Sequence, residues 1–323
     1  MAVLGTMTHS RAEHPIPPPI KQWLSERFGE WCLIEHASWA RENSNVWQIQ
    51  LPTERGFLKL SPSVAAFERE TVACREWLPR AVATPTRLPR LIADEPSLRV
   101  LLTSPVEGHV VRTLSGPLSE EEEQRIHRSA GVAADTLHGL QASPTEQERS
   151  AARALRVEQL LQLSDRRRYT SADVLTDAEV ALVDRAESIL SDYAEACAIG
   201  FRHGDFQPRN WLTCPAPDAR ADGLGVIDFE ESGIGFALED FGWLFAVVWN
   251  RQPVLRASFL AGYGRELSAS EEVFLSAFTL LGSLQHIAEG REHGLPQKLD
   301  NGRAALAIAG QAMTQVAPKI SGV

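Results

Sequence analysis

The stretch from Gly200 to Leu212 reads GFRHGDFQPRNWL and carries the polar side chains that decide the fold. Asp205 and Asn210 lie five positions apart, and Gly204 and Pro208 allow the chain to bend around them. A short loop of this kind can aim the carboxylate of Asp205 at a substrate hydroxyl while the amide oxygen of Asn210 faces a metal ion. We therefore interpret the stretch as a catalytic loop.

A second acidic position follows a turn-rich insert, 214–223. The apolar segment 224–227 leads directly into Asp228. Two strands joined by the insert would bring Asp228 beside Asn210, and Mg²⁺ prefers such hard oxygen ligands. The offset between Asp205 and Asn210 is the one found in the catalytic loop of kinases. We predict Asp205 as the catalytic carboxylate of a phosphoryl transfer and Asn210 with Asp228 as the ligands of Mg²⁺.

The N-terminal part of the chain supplies a candidate phosphate-binding cation. The segments 46–51 and 56–60 predict a β-hairpin, and a helix is predicted from 62 to 78. Lys59 lies on the second strand and Glu70 lies eleven residues later, in the helix. In kinases a strand lysine and a helix glutamate form an ion pair that places the lysine on the α- and β-phosphates. We predict the same pair here.

Taken in order, His203-Gly204-Asp205 with Asn210, Ile227-Asp228-Phe229-Glu230 and Glu239-Asp240 closely resemble the motifs of the aminoglycoside phosphotransferase family. These are small-molecule kinases with the protein-kinase fold. The resemblance implies an α+β, bilobal, protein-kinase-like fold with an antiparallel-sheet N-lobe and a mainly helical C-lobe. It also implies that Asp240 is a buried structural aspartate. His203 is expected to be structural, because a histidine beside an apolar segment usually satisfies its own surroundings.

The apolar strand signal at 99–103 breaks at Ser104-Pro105 and Gly108, so we place the lobe boundary there. The N-lobe is then 21–106 and the C-lobe is 107–323. Beyond the boundary the pattern turns helical, beginning with an apolar stripe at three- and four-residue steps: Ile126, Ala130, Ala133, Leu137 and Leu140. Residues 1–20 contain four prolines and no apolar stretch typical of a signal peptide, and we expect a mobile tail.

The resemblance also assigns residues to ATP, with GTP as the alternative nucleotide. The segment 41–47 resembles the nucleotide loop of the family, so Ser44 and Asn45 are expected at the phosphates. They would act through side chains or exposed amides, because no glycine occurs from Ser38 to Gln50. The segment 101–108 resembles the hinge whose backbone contacts adenine, which points to Ser104 and Val106.

A small hydroxylated molecule is the expected acceptor, either an antibiotic, with a role in resistance, or a metabolite. No activation segment and no Ala-Pro-Glu motif follow Asp228-Phe229-Glu230, which argues against a protein substrate. The 42 acidic residues outnumber the 32 basic ones, and the net charge of −10 argues against nucleic acid and favours a cationic acceptor. Four side chains are candidates for binding such an acceptor: Glu230, Glu231, His286 and Glu289.

Two other functions can be set against this one. A regulatory protein that binds nucleotide without turnover would fit the glycine-free loop, but the intact Asp205 and Asp228 oppose it. A metallohydrolase centre at His203, Asp205 and Asp228 lacks the histidine-rich spacing that such sites prefer.

The composition also bears on location and assembly. The four cysteines are widely separated and suggest free thiols in a cytoplasmic protein. The longest apolar run, 241–249, is too short for a membrane helix, so no membrane partner is expected; it is predicted to form core. A monomer and a homodimer both remain open.

Overall fold

The computed structural model describes residues 15–38, 45–114, 117–140, 145–214 and 223–320. The chain divides into two compact units. The first unit comprises 1–79 and 89–106, and the second unit comprises 80–88 and 107–323. The first unit is built on an antiparallel sheet and the second is mainly helical, which is the α+β, kinase-like architecture predicted from the sequence.

An antiparallel sheet with the strand order β1-β2-β3-β5-β4 forms the first unit. Its strands are β1 (Cys32–His36), β2 (Asn45–Gln50), β3 (Arg55–Leu60), β4 (Leu91–Glu95) and β5 (Val100–Thr103). The hairpin of β2 and β3 was predicted, and it pairs Asn45 with Leu60 and Gln50 with Arg55. Alternate residues such as Trp47, Ile49 and Leu58 are buried, since successive side chains of a strand point to opposite faces.

Helix α1 (Pro18–Phe28) covers part of this core. Ile16, Ile20 and Leu24 are buried in the same apolar cluster as the sheet residues. The predicted boundary of the N-terminal tail at residue 20 is therefore wrong, because these apolar side chains gain more by burial than the backbone loses by ordering. Residues 1–14 of that tail lie outside the described part of the chain.

Helix α2 (Val64–Val72) follows the hairpin directly. Ser63 caps it by accepting a hydrogen bond from the main-chain N–H of Ala66, which satisfies one of the free donors of the first turn. The chain continues through a wider turn, Ala73–Trp77, and a tighter one, Leu78–Arg80. The helix predicted over 62–78 is thus present, with a change of helical type near its end.

The second unit contains one short strand, three helices, four further short strands and four C-terminal helices, in that order along the described chain. The helices are α3 (Glu120–His138), α4 (Glu146–Ser171), α5 (Asp177–Tyr193), α6 (Gly242–Leu244), α7 (Pro253–Tyr263), α8 (Ala269–Glu292) and α9 (Pro296–Ile320). The strands are β6 (His109–Val110), β7 (Ile199–Arg202), β8 (Trp211–Thr213), β9 (Gly225–Val226) and β10 (Gly233–Phe236). β7 pairs with β10, and β8 lies between β6 and β9.

The predicted apolar stripe of α3 is buried from Ile126 to Leu140. α3 packs closely on α7, where a side chain at Gly131 would overlap the carbonyl oxygen of Phe259. Part of the apolar run 241–249 forms core, as predicted: Phe241 and Trp249 are buried together with Phe259, whereas Val247 is 42% exposed. None of the helices among the described residues combines the length and apolar composition needed to cross a membrane.

One segment predicted for the N-lobe belongs to the second unit. The main-chain N–H of Arg87 donates to the carbonyl of Leu224, and that of Val226 donates to the carbonyl of Arg87, both at 2.9 Å. The Thr86 hydroxyl also lies 3.3 Å from that of Thr136 on α3. The prediction of a continuous N-lobe over 21–106 is wrong for 80–88, because this segment satisfies its backbone polar groups next to β9.

Candidate active site

The loop after β7 is anchored by a buried histidine. The main-chain N–H of His203 donates to Oδ2 of Asp240 at 2.9 Å, and its ring Nε2 lies 3.0 Å from the carbonyl oxygen of Ile227. The ring packs on Phe206 and Phe229. The imidazole thus ties the loop to the segment that leads into Asp228, which is the structural role expected for it.

A second buried residue, Asp240, binds the backbone of the same loop. Its Oδ1 accepts a 2.7 Å hydrogen bond from the main-chain N–H of Gly204, and its Oδ2 lies 3.0 Å from Nε2 of His138. The Tyr263 hydroxyl lies 3.0 Å from the other ring nitrogen of His138. Burial acts to raise the pKa of Asp240, but the bond from His138 and the nearby charges of His138, His203 and Arg202 lower it. A buried carboxylate therefore fixes the backbone directly before Asp205.

The carboxylate of Asp205 accepts hydrogen bonds from three side chains of its own loop. Gln207 Nε2 donates to Oδ1. Arg209 donates to Oδ2 through Nε at 3.1 Å and Nη2 at 2.6 Å, and Asn210 Nδ2 donates to Oδ2 at 2.7 Å. The bend at Pro208 makes this possible, since it folds the loop back on Asp205. The sequence interpretation of the loop did not include Gln207 or Arg209.

Asn210 is 2% exposed and closely held. Its Nδ2 also donates to the main-chain oxygen of Asp205 at 2.8 Å, and its own carbonyl accepts from the N–H of Ile227 at 3.1 Å. The antiparallel pairing of β8 with β9 continues this contact. The structure therefore brings Asn210 next to the Ile227-Asp228 segment, the arrangement that the strand–insert–strand pattern predicted.

Asp228 has the geometry of a strained site residue. Its φ of 70° lies in the left-handed region, which non-glycine residues rarely adopt. A carboxylate oxygen of Asp228 and one of Glu230 lie within 4.8 Å of each other. Because both Nδ2 bonds of Asn210 go to Asp205, its amide oxygen is left as an acceptor. These hard oxygen donors are suited to Mg²⁺.

A buried ion cluster beside the loop was missed by sequence reasoning. Glu239 lies 2.5 Å from Nη2 of Arg156 and 3.0 Å from Nε of Arg202, and Arg202 Nη1 donates to the carbonyl of Glu231 at 3.0 Å. Burial acts to raise the pKa of Glu239, but the charges of Arg202 and Arg156 lower it. The cluster connects α4 to β7 and to the segment after Asp228.

In the first unit, Lys59 and Glu70 form the predicted ion pair. Nζ of Lys59 lies 2.7 Å from Oε2 of Glu70, and both side chains are buried. Lys59 lies on β3 between Val46 of β2 and Leu101 of β5. Burial, assisted by the charge of Glu70, raises the pKa of the neighbouring Cys74 thiol.

Two of the remaining nucleotide candidates, Asn45 and Ser104, lie next to strand ends of the first unit. Ser44 lies outside the described residues, and Asn45 begins β2. The main-chain N–H of Ser104 donates to the carbonyl of Arg90 at 2.8 Å, and the Ser104 hydroxyl accepts from the N–H of Arg90 at 3.0 Å. The amide of Ser104 is therefore engaged within the first unit, and Val106 ends that unit.

The acceptor candidates fall into two groups. Glu230 and Glu231 lie two and three positions after Asp228, and Glu231 is exposed. His286 and Glu289 lie on α8, where Glu289 pairs with Lys298 of α9 and accepts a 2.8 Å bond from Gln285. In the part of the chain that the structure describes, no hydrogen bond or ion pair joins His286 or Glu289 to the 203–210 loop.

Comparison with known proteins places this geometry in a family. The model of the phosphotransferase enzyme family matches residues 35–273. The chain belongs to this family. It is a phosphotransferase enzyme of the aminoglycoside phosphotransferase type, as the motifs around Asp205 and Asp228 indicated. A search of curated proteins gave no match.

Solved structures with the same fold are phosphotransferases of low sequence identity. Aminoglycoside phosphotransferase APH(4)-Ia has 16% identity and a TM-score of 0.64, with 91% of this chain and 98% of that chain covered. The ADP-bound APH(2'')-Ib has 17% identity and a TM-score of 0.63, with 92% and 99% covered. The gentamicin complex of APH(2'')-IIa has 17% identity and a TM-score of 0.61, with 91% and 97% covered.

Proposed function

We propose that this phosphotransferase moves the γ-phosphoryl group of ATP to a hydroxyl of a small molecule. The observation that carries the proposal is a pair of hydrogen bonds from Asn210 Nδ2 to Asp205, at 2.8 Å to its main-chain oxygen and at 2.7 Å to Oδ2. The Ile227-Asp228 segment is held against Asn210 by a main-chain hydrogen bond. On this basis we assign Asp205 to the acceptor hydroxyl, and the amide oxygen of Asn210 and the carboxylate of Asp228 to the metal. Similar proteins solved with ADP or AMP-PNP support ATP as donor.

The chemistry assigned to each side chain follows from its charge and position. Asp205 orients the acceptor hydroxyl and takes its proton, and most of the catalysis comes from positioning and electrostatics. Asn210 and Asp228 would hold Mg²⁺, which neutralises phosphate charge when bound. Asp240 and His203 keep the loop backbone in place. Asp205 is therefore already positioned before the reaction begins, and no free energy is spent on positioning it during the reaction.

The nucleotide-binding residues are proposed from the first unit. The ion pair with Glu70 holds the ammonium of Lys59 for the α- and β-phosphates. The main-chain N–H of Ser104 already donates to Arg90. We therefore assign the carbonyl of Ser104 to accept a hydrogen bond from the amino group of adenine, and the N–H of Val106 to donate one to a ring nitrogen of adenine. Asn45, and with it Ser44, is assigned to the phosphates.

The domain assignment follows the same division. We propose 15–106, without 80–88, as the nucleotide-binding lobe, since Ile16 and Ile20 belong to its core. The acceptor-binding lobe is then 107–323.

The acceptor is proposed to be a cationic, hydroxylated small molecule, an antibiotic or a metabolite, handled in the cytoplasm. The net charge of −10 and the acidic Glu230 and Glu231 after Asp228 support this class. Solved structures with the same fold include complexes with gentamicin and with hygromycin B. His286 and Glu289 remain candidates for a more distant part of the same acceptor.

The test is a panel of hydroxylated antibiotics and metabolites incubated with the purified chain, ATP and Mg²⁺. Mass spectrometry of each acceptor measures the addition of one phosphoryl group, and ADP formation is measured in parallel. We expect one chemical class to be phosphorylated, and Asp205→Ala to abolish the product. Tight ATP binding without phosphorylation of any acceptor, and without ADP formation, would contradict the proposal.

A further inference from the structure

The two oxygens of the Asp205 carboxylate accept different numbers of hydrogen bonds in this structure. An ionised carboxylate offers about four lone-pair sites. Oδ2 accepts three N–H groups, two from Arg209 and one from Asn210, whereas Oδ1 accepts one, from Gln207. An acceptor hydroxyl can therefore bind at Oδ1 without displacing the donors on Oδ2.

The three donors differ in how firmly they are held. Asn210 is buried and also donates a hydrogen bond to the main-chain oxygen of Asp205, so its hydrogen bond to Oδ2 is retained. Arg209 binds Oδ2 with a charged, two-point contact, which is stronger than a neutral hydrogen bond. The neutral amide of Gln207 binds only Oδ1 among the described residues. An acceptor hydroxyl can thus bind Oδ1, beside Gln207 or in its place, while Arg209 remains on Oδ2.

Arg209 keeps free donors while it does so. A guanidinium has five N–H groups, and Asp205 takes two of them. Among the described residues, the side chain of Arg209 has no other hydrogen-bond partner, and 24% of it is exposed. Three N–H groups in a rigid plane therefore remain beside the carboxylate to which the acceptor binds. Planar guanidinium donors match phosphate oxygens well.

We propose that Arg209 is a further catalytic residue that binds the transferred phosphoryl group with these donors. The inference rests on the proposed function. During transfer, the bond from the acceptor oxygen to phosphorus forms as the bond from phosphorus to the bridging oxygen of ADP breaks. The hydroxyl proton passes to Asp205, and ADP retains the electron pair. Negative charge spreads over the equatorial phosphoryl oxygens, where a cation fixed to Asp205 stabilises it.

The simpler explanation is that Arg209 and Asp205 form an ordinary ion pair four positions apart that only stabilises the loop. The two explanations differ in measurable ways. A purely structural pair would affect folding and nucleotide affinity, and its loss could not be repaired from solution. A phosphoryl-binding guanidinium would affect the rate of transfer, and a soluble guanidinium ion could partly replace it.

The experiment compares the wild-type chain with Arg209→Ala, Arg209→Lys and the control Arg168→Ala, which removes a more exposed ion pair between α4 and α5. Rates are measured with Mg²⁺ and radiolabelled ATP, using water as acceptor, so that no acceptor has to be known. ATP affinity is measured by calorimetry. We expect Arg209→Ala to lower kcat about 100-fold with little change in ATP affinity, the usual effect of losing one charge-stabilising donor. Arg209→Lys should be intermediate, and guanidinium chloride should restore part of the rate of Arg209→Ala.

The outcomes separate this inference from the proposed function. If the wild-type chain turns over ATP and Arg209→Ala stays within about threefold of its kcat, Arg209 has no catalytic role and the inference is overturned. Loss of ATP affinity with no rescue by guanidinium would assign Arg209 to structure and would also overturn it. A wild-type chain that binds ATP but releases no phosphate, to water or to any acceptor of the panel, contradicts the proposed function, and this inference with it.

Discussion

Oδ1 of Asp240 accepts a 2.7 Å hydrogen bond from the main-chain N–H of Gly204, the residue directly before Asp205. Gly204 has a φ of 85°, and a side chain there would overlap the carbonyl oxygen of Glu231. The loop that carries Asp205 thus passes against the segment that carries Asp228 with no room for a Cβ atom. A buried carboxylate and a glycine together set the spacing of the two acidic segments.

Gly204→Ala should therefore damage both stability and activity. The left-handed backbone alone costs an alanine about 1 kcal/mol, and the overlap with Glu231 adds to it, so we expect a loss of at least about 2 kcal/mol of unfolding free energy. The control is Gly264→Ala, since Gly264 has a φ of 84° but no atoms close to its Cβ position. Chemical denaturation measures both. Equal losses in the two variants would contradict the close approach.

Removal of the proposed metal ligands should weaken ATP binding only when Mg²⁺ is present. Asn210→Ala and Asp228→Ala are expected to weaken ATP binding at saturating Mg²⁺ at least about tenfold and to leave binding in EDTA unchanged, because each removes one hard oxygen ligand. Calorimetric titration with and without Mg²⁺ checks this. An equal loss of affinity in both conditions would mean that these side chains do not hold the metal.

The ion pair of Lys59 and Glu70 should stabilise the first unit only as a pair. Lys59→Ala leaves the Glu70 carboxylate buried without its cation, which costs about 3–5 kcal/mol. The double variant Lys59→Met with Glu70→Leu should recover most of this stability, because replacing both charges by apolar groups removes the unpaired charge. ATP affinity should nevertheless stay low in the double variant. Recovery of affinity together with stability would contradict the assignment of Lys59 to the phosphates.

A buried histidine should make the stability depend on pH. Burial lowers the pKa of His127 from 6.5 to about 4, so the native protein holds it neutral while the unfolded chain takes up a proton more readily. The contribution is complete above pH 6.5 and is lost as the pH falls toward 4. It amounts to about 3 kcal/mol, which denaturation at a series of pH values measures. His127→Leu should flatten the curve in this range.

Trp211→Phe is the matched control. It alters the ring that packs on His127, with the two ring centroids 5.5 Å apart, but keeps the imidazole. This variant should lose stability at every pH and retain the slope. If His127→Leu keeps the slope as well, another group is responsible for it.

Much of the fold follows from local sequence signals. The β2–β3 hairpin is visible in its turn and alternation, and the stripe of α3 is visible in its spacing. The five-residue offset of Asp205 and Asn210 is local too, which is why the loop could be interpreted from the sequence. Helix α1 had a signal that was not used: Pro18 at its start, with Ile20 and Leu24 four positions apart.

Other features depend on contacts between distant positions. Arg156 and Glu239 are 83 positions apart, and nothing in either local sequence indicates the other. The segment 80–88 is short and polar in part, and only its hydrogen bonds to the backbone around β9 assign it to the second unit. Arg209 is a local case that still escaped prediction, because an arginine in a loop is usually a solvated surface residue.

The central claim is that Asp205 receives the acceptor hydroxyl while other residues hold the nucleotide. The most direct test is the rate of phosphoryl transfer by Asp205→Asn at saturating ATP and Mg²⁺, measured together with its ATP affinity. We predict that transfer falls at least about 100-fold, because the amide cannot take the proton, and that ATP affinity is nearly unchanged. Transfer by Asp205→Asn at the wild-type rate would contradict the account.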